Sequence, residues 1–281
     1  MKDKKHFNRI VVPVLGMHRS GTSMFTRAIN ILGVELGVPD HLMGASYDNK
    51  KGFWENVFFL NINIEILRRI GVNTNGFDTT DALLGAAQKI ELLDPSLDTI
   101  DLINRYINDN LEHPIWGWKD PRTVLLFPFW LKLLMKLGYN DIRPAIIVRN
   151  PIDTAHSLIK QGHLKDIATK NKIPEKHLAL NLWKIYNRIL NLISNSIPCF
   201  LSFHEWLINP DSARDELERC SAFTGLETDN MDAALKWIDP RMVHHHSNIG
   251  DVCDDDAIGI YEELMAKANK QRNEWGQNGI N

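Results

Sequence analysis

The run Val11-Val12-Pro13-Val14-Leu15-Gly16-Met17-His18-Arg19-Ser20-Gly21-Thr22-Ser23 constrains this chain more than any other stretch. Its apolar, β-branched start reads as a buried strand, and apolar residues at Met24, Phe25, Ala28, Ile29 and Leu32 follow at helical spacing. A strand therefore feeds a tight loop that opens a helix near Gly21. The first N–H groups of a helix lack intrahelical partners, and with the positive end of the dipole they favour a bound anion. Gly16 and Gly21 let the backbone close around that anion, and His18, Arg19, Ser20, Thr22 and Ser23 surround it with side-chain donors. A glycine turn that opens a helix and binds nothing would share this pattern, so the rest of the chain has to decide.

The ATP-binding version of such a loop reads G-x-x-x-x-G-K-[ST]. Here the two glycines keep that spacing, but Thr22 stands where the lysine belongs and the fixed charge, Arg19, lies inside the loop. This disfavours an ATPase or kinase. With 281 residues, 44% hydrophobic and 24% charged, the composition is that of a globular domain. A net charge of −3 offers no global attraction for nucleic acid or an anionic membrane. Three widely spaced cysteines, Cys199, Cys220 and Cys253, suggest neither a disulfide framework nor a zinc site, and a reducing compartment fits them. The charged residues 1–9 lack the apolar core of a signal peptide, and no run reaches the ~20 apolar residues of a membrane span. A cytoplasmic location is expected.

Three further strand ends carry charge. Ile115–Trp118 runs into Lys119-Asp120-Pro121-Arg122, and the run over Arg143–Val148 ends in Arg149-Asn150-Pro151 with Ser157 about two turns into the next helix. Pro198–Phe203 ends in His204-Glu205-Trp206. In open α/β sheets ligands bind beyond such C-terminal ends. Lys119 is placed to stabilise charge on a transferring group and Asp120 to orient it or assist proton removal, although a salt-bridged turn capped by Asp120 reads equally well. Glu55, in Gly52-Phe53-Trp54-Glu55-Asn56 ahead of a helical pattern over Val57–Ile70, is either a base raised by an apolar wall or a first-turn acid on the helix dipole. Glu205 reads as a structural acceptor or cap. Trp183 and Tyr186 read as core.

Taken together, these motifs resemble the sulfotransferases that use 3′-phosphoadenosine 5′-phosphosulfate (PAPS), in particular bacterial carbohydrate-type members. In that family a basic residue followed by Ser-Gly-Thr forms the 5′-phosphosulfate loop after the first strand, which is the place of Arg19 to Thr22. The string R-x-P-x-D-x-x-x-S is similar to the second signature, in which the Arg and Ser hold the 3′-phosphate; these map to Arg149 and Ser157. The G-F-W-E-N string implies that Glu55 is the acceptor base, with Asp120 or His18 as substitutes, and K-D-P-R recurs at the place of Lys119. The family's adenine pocket draws aromatics from the neighbourhood of Trp183 and Tyr186. A basic loop near the family's C-terminus implies Arg241 and His244 at the nucleotide, although three consecutive histidines in an exposed polar loop need bind nothing. The family's Y-E-D-L string is altered here, with His204 for Tyr and Trp206 for Asp.

The expected fold is a single α/β domain over residues 1–281, a P-loop NTPase-like three-layer sandwich around a central parallel sheet, with a helical cap-like insertion at about 71–112. The expected activity is sulfuryl transfer from PAPS, without a metal, to a hydroxyl or amine of a small-molecule or carbohydrate acceptor. A P-loop phosphotransferase and a non-catalytic nucleotide-binding module remain the alternatives. Acceptor identity and oligomeric state lie beyond the sequence.

Overall fold

Strand β1 (Ile10–Leu15) runs through the middle of the sheet because its side chains are apolar on both faces. Val11 and Leu15 enter one core cluster and Val12 and Val14 the other. A computed structural model of the chain, described over residues 9–45, 51–238 and 254–278, places β1 parallel to β2 (Ile115–Lys119) on one side. On the other side lie β3 (Asp141–Ile142) and β4 (Ala145–Val148), followed by β5 (Phe200–Phe203). Every pairing is parallel, in the order β2-β1-β4-β5, with β3 also on β1.

The run over Arg143–Val148 does not form one strand with its upstream residues. In the register that pairs Val11 with Ile142 and Val14 with Ala145, Pro13 faces Pro144. Neither residue has an N–H to give, so the ladder breaks there into β3 and β4.

Helix α1 (Thr22–Ile31) covers one face of the sheet with α9 (His204–Ile208), α10 (Ala213–Thr224) and α11 (Met231–Trp237). The opposite face is larger. It takes α2 (Val57–Ile70), α3 (Thr80–Leu92), α4 (Leu97–Asn110), α5 (Thr123–Lys136), α6 (Pro151–Gln161), α7 (Lys165–Asn171), α8 (Glu175–Ser196) and α12 (Asp255–Asn278). The expected three layers are present. No helix among the described residues is long and apolar enough to cross a membrane.

Helix α7 buries little beyond Ala168 and so lacks an apolar stripe to announce it in the sequence. Helix α3 starts at Thr80, with Thr79 accepting from the Ala82 N–H. Helix α10 starts at Ala213, three residues after Pro210. Helix α12 begins at Asp255 and is anchored in the core: Ala257, Leu264 and Ala268 are fully buried, and it packs on α8 and β5. Its Gln271 Oε1 accepts the Leu201 N–H at 3.0 Å, while Arg219 donates to Leu201 O at 2.8 Å, so side chains close the outer edge of β5.

An aromatic cluster fixes β2 against α2 and α5. The Phe59 ring lies 5.0 Å from Trp118, and Trp118 5.0 Å from Trp130. Asn63, wholly buried, accepts from Trp130 Nε1 at 2.7 Å and donates to Asp120 Oδ2 at 2.8 Å and to Thr123 Oγ1 at 3.1 Å. Replacing Asn63 by leucine would orphan a buried indole N–H and weaken the seat of a buried carboxylate, each costing about 1–3 kcal/mol. We expect Asn63→Leu to unfold at visibly lower urea concentration with an unchanged slope, as equilibrium denaturation would record.

Candidate active site

All four long strands deliver their following residues to one edge of the sheet, and β1 sits where the connections diverge. From β1, chain passes to β2 on one side and later to β4 on the other, which opens a crevice beyond the C-terminal ends. Gly16, Lys119, Arg149 and His204 each immediately follow or end one of these strands.

The loop after β1 is tightly determined. A Cβ on Gly16 would stand 2.7 Å from the Ile147 carbonyl oxygen of the neighbouring strand. Arg19 takes a left-handed conformation with φ 68°, as does Gly21 with φ 85°. A left-handed non-glycine residue costs energy that surrounding contacts must offset, and such residues gather at functional sites. Helix α1 then starts without a side-chain cap. A Cβ on Gly21 would lie 2.3 Å from His204 Cδ2. Gly21→Ala is therefore expected to cost about 1–2 kcal/mol for the backbone conformation alone and to displace the loop. Thermal melting and nucleotide titration of that variant would record both effects.

The two signatures meet in space. Arg19 Nε donates to Ser157 Oγ at 2.9 Å, and Arg149 Nη1 donates to the Arg19 carbonyl at 3.0 Å. Arg149 O accepts from Trp183 Nε1 at 3.0 Å, so the strand end is anchored to α8. Arg149 Nε is buried without a hydrogen-bond partner among the described residues, and so is His18 Nε2. Burial holds the Arg149 guanidinium below its usual range, although Asp153 and Glu205 pull the other way. Burial, then the charges of Arg122, Lys119, His163 and Arg19, hold His18 well below the ordinary imidazole value, so its ring is neutral at pH 7. The ring packs 4.4 Å from Phe77.

Glu55 lies one residue before the Asn56 cap of α2 rather than in the first turn. It is 7% exposed and pairs with Lys119, itself 2% exposed, at 2.7 Å; Arg122 Nη1 stands 3.9 Å from its other oxygen. Burial pushes the Glu55 carboxyl above its usual value, and Asp120 adds to this against the pull of Lys119 and Arg122. Lys119 Nζ also donates to Ser23 Oγ at 3.1 Å, which joins the loop after β1 to the acid. Asp120 faces inward: Oδ2 accepts from Asn63, and Oδ1 accepts from the Arg122 N–H at 3.1 Å and Nη1 at 2.8 Å.

Asn63, hidden in an apolar stripe, gives no signal in the sequence. Arg122, displayed in the K-D-P-R string without a role of its own there, donates from Nε to Thr74 O at 2.7 Å. Glu205 accepts the Asn150 N–H at 2.9 Å, the structural role expected of it. Trp183 and Tyr186 are fully buried core residues. Arg241 and His244 lie outside the described residues. Among the described residues, no group of His, Cys, Asp and Glu is placed to hold a metal ion.

A central parallel sheet with an uncapped helix opening behind a glycine loop on β1 is the P-loop NTPase-like architecture. The fold is shared with the sulfotransferase domain from the Synechococcus PCC 7002 olefin synthase, at TM-score 0.54 and 15% identity over 94% of this chain and 96% of that one. The sulfotransferase domain from the curacin biosynthetic pathway aligns at TM-score 0.48 and 13% identity over 92% and 97%. A sulfotransferase from Alicyclobacillus acidocaldarius aligns at 0.42 and 15% over 94% and 92%. No protein-family model matches the chain, and no curated protein sequence does so.

Proposed function

We propose that this protein transfers a sulfuryl group from PAPS to a hydroxyl or amine of a small-molecule acceptor, with a carbohydrate as the preferred class. One observation carries the reading. The Arg19–Ser157 bond and the Arg149–Arg19 bond bring two anion-binding loops from two strand ends into direct contact, as a nucleotide with phosphates at both ends requires. The unpartnered buried Nε of Arg149 fits a further anionic partner at that junction. Thr22 in place of the ATP-loop lysine favours PAPS over ATP.

PAPS, when bound, supplies an activated sulfuryl group on a phosphate leaving group. The protein's part is positioning and charge neutralisation, as in phosphoryl transfer. The uncapped start of α1, with Ser20, Gly21, Thr22 and Ser23, would hold the 5′ end, and Arg19 would neutralise charge there. Arg149 would grip the 3′-phosphate through its planar fork beside Ser157. Lys119, between Ser23 and Glu55, would stabilise charge on the transferring group, while Asp120 orients Arg122 against the same site. Glu55 would take the acceptor's proton, and its raised affinity for a proton suits a general base. A desolvated ion pair is a poor device for stability alone, which favours a chemical role for Glu55 and Lys119. Arg241 and His244 are proposed at the nucleotide on the family resemblance only. The test is to incubate the protein with PAPS and a panel of sugars, phenols and amines and measure release of 3′-phosphoadenosine 5′-phosphate. Acceptor-dependent release supports the proposal, and no release with any acceptor class counts against it.

A further inference from the structure

Glu55 is held more firmly than its place in a loop would suggest. Its carbonyl accepts the Met43 N–H at 2.8 Å, and the Phe53 and Trp54 N–H groups both donate to Met43 O at 3.2 Å. After it, Asn56 caps α2 and donates to Leu36 O at 2.9 Å and to Tyr106 Oη at 2.9 Å. Before it stands Trp54, with φ 58°. Only Arg19, Trp54 and Lys172 among the described non-glycine residues have positive φ, and Arg19 and Trp54 adjoin the proposed chemistry. A bulky aromatic in this conformation persists only where its surroundings over-determine it.

Those surroundings are visible. Trp54 Nε1 donates to Lys51 O at 2.8 Å, and the Arg27 guanidinium lies 4.5 Å over the Trp54 ring. Trp237 meets Trp54 edge-on at 5.8 Å, and Lys51 Nζ donates to Trp237 O at 2.8 Å. Arg27 belongs to α1, whose start is the phosphate loop, and Trp237 ends α11. Cation–π and edge-to-face contacts thus tie the turn ahead of Glu55 to two helices on the opposite side of the sheet from α2.

We propose that Trp54, clamped between Arg27 and Trp237, is a positioning residue that holds Glu55 in its buried place beside Lys119. This rests on the reading of Glu55 as acceptor base, but the placement itself is testable without turnover. Trp54→Gly keeps the left-handed turn, which glycine adopts freely, and removes the ring. Trp54→Phe keeps a ring over Arg27. Arg27→Met removes the cation from a helix surface without touching the loop, and serves if Trp54→Gly folds poorly.

The experiment is NMR titration of the Glu55 side-chain carboxyl in glutamate-labelled protein, with parallel titration by 3′-phosphoadenosine 5′-phosphate and a melting curve for each variant. In the parent and in Trp54→Phe the carboxyl should titrate above the ordinary glutamate value. In Trp54→Gly and Arg27→Met it should return toward 4.5, with nucleotide affinity unchanged within about twofold. Once an acceptor is identified, the same two variants should lose turnover by up to about 100-fold, the scale of a misplaced catalytic group. A folded Trp54→Gly or Arg27→Met protein with an unmoved Glu55 titration would overturn the proposal. Lost nucleotide affinity with an unmoved titration would also overturn it and assign the ring to the nucleotide. Failure of the parent to bind the nucleotide, with the titration responding as described, would reject the sulfotransferase reading and leave the positioning intact.

Discussion

Arg149→Ala is expected to weaken binding of 3′-phosphoadenosine 5′-phosphate by about 100-fold or more while leaving the fold intact. Each charge-assisted hydrogen bond to a phosphate is worth about 1.5–3 kcal/mol, and a guanidinium makes two in its planar fork. Among the described residues the side chain donates one hydrogen bond inside the protein, to the Arg19 carbonyl, and the anchor to α8 runs through the Arg149 main chain, which alanine retains. The melting temperature should therefore move little. Arg149→Lys keeps the charge without the fork and should recover only part of the affinity. Equal loss for adenosine 5′-phosphate, which lacks the 3′ group, would show that Arg149 acts elsewhere.

The second large effect falls on Glu55. Glu55→Gln keeps an oxygen facing Lys119 but removes the base, and should lower turnover by about 10²–10⁴-fold with nucleotide affinity preserved. The pH dependence follows from the direction of the shift. Burial disfavours the carboxylate, so the proton is held to a higher pH than an ordinary glutamate would hold it. The base is then lost, as acid is added, above the usual carboxylate range, and the acidic limb of the rate profile should lie above 4.5. In Glu55→Gln that limb should vanish along with the rate. A limb that survives in the variant would assign base function to another group, with His18, held below its ordinary value by burial and by the charges of Arg122 and Lys119, the next candidate.

Much of this site was legible one strand at a time. Each apolar run leads into a charge, and the charges after β1, β2 and β4 all reach the same edge. What sequence order hides is contact. Glu55 and Lys119 are 64 residues apart and Arg19 and Ser157 are 138 apart, and they meet only because β1 lies between β2 and β4. The inward turn of Asp120 was equally hidden, since it depends on Asn63, a polar residue in an otherwise apolar helix face. Helix α7 escaped because its Lys-rich sequence buries almost nothing, and the break between β3 and β4 escaped because it needs the register that sets Pro13 against Pro144. Local propensity spoke clearly where packing agreed with it, and failed where long-range pairing decided.

The most direct test of the account is a calorimetric titration of the purified protein with 3′-phosphoadenosine 5′-phosphate, set against ADP with Mg²⁺. Binding of the first is expected to need no metal and to be lost in Arg149→Ala, with ADP–Mg²⁺ bound weakly or not at all. Preference for ADP–Mg²⁺, or nucleotide binding indifferent to Arg149, would contradict it.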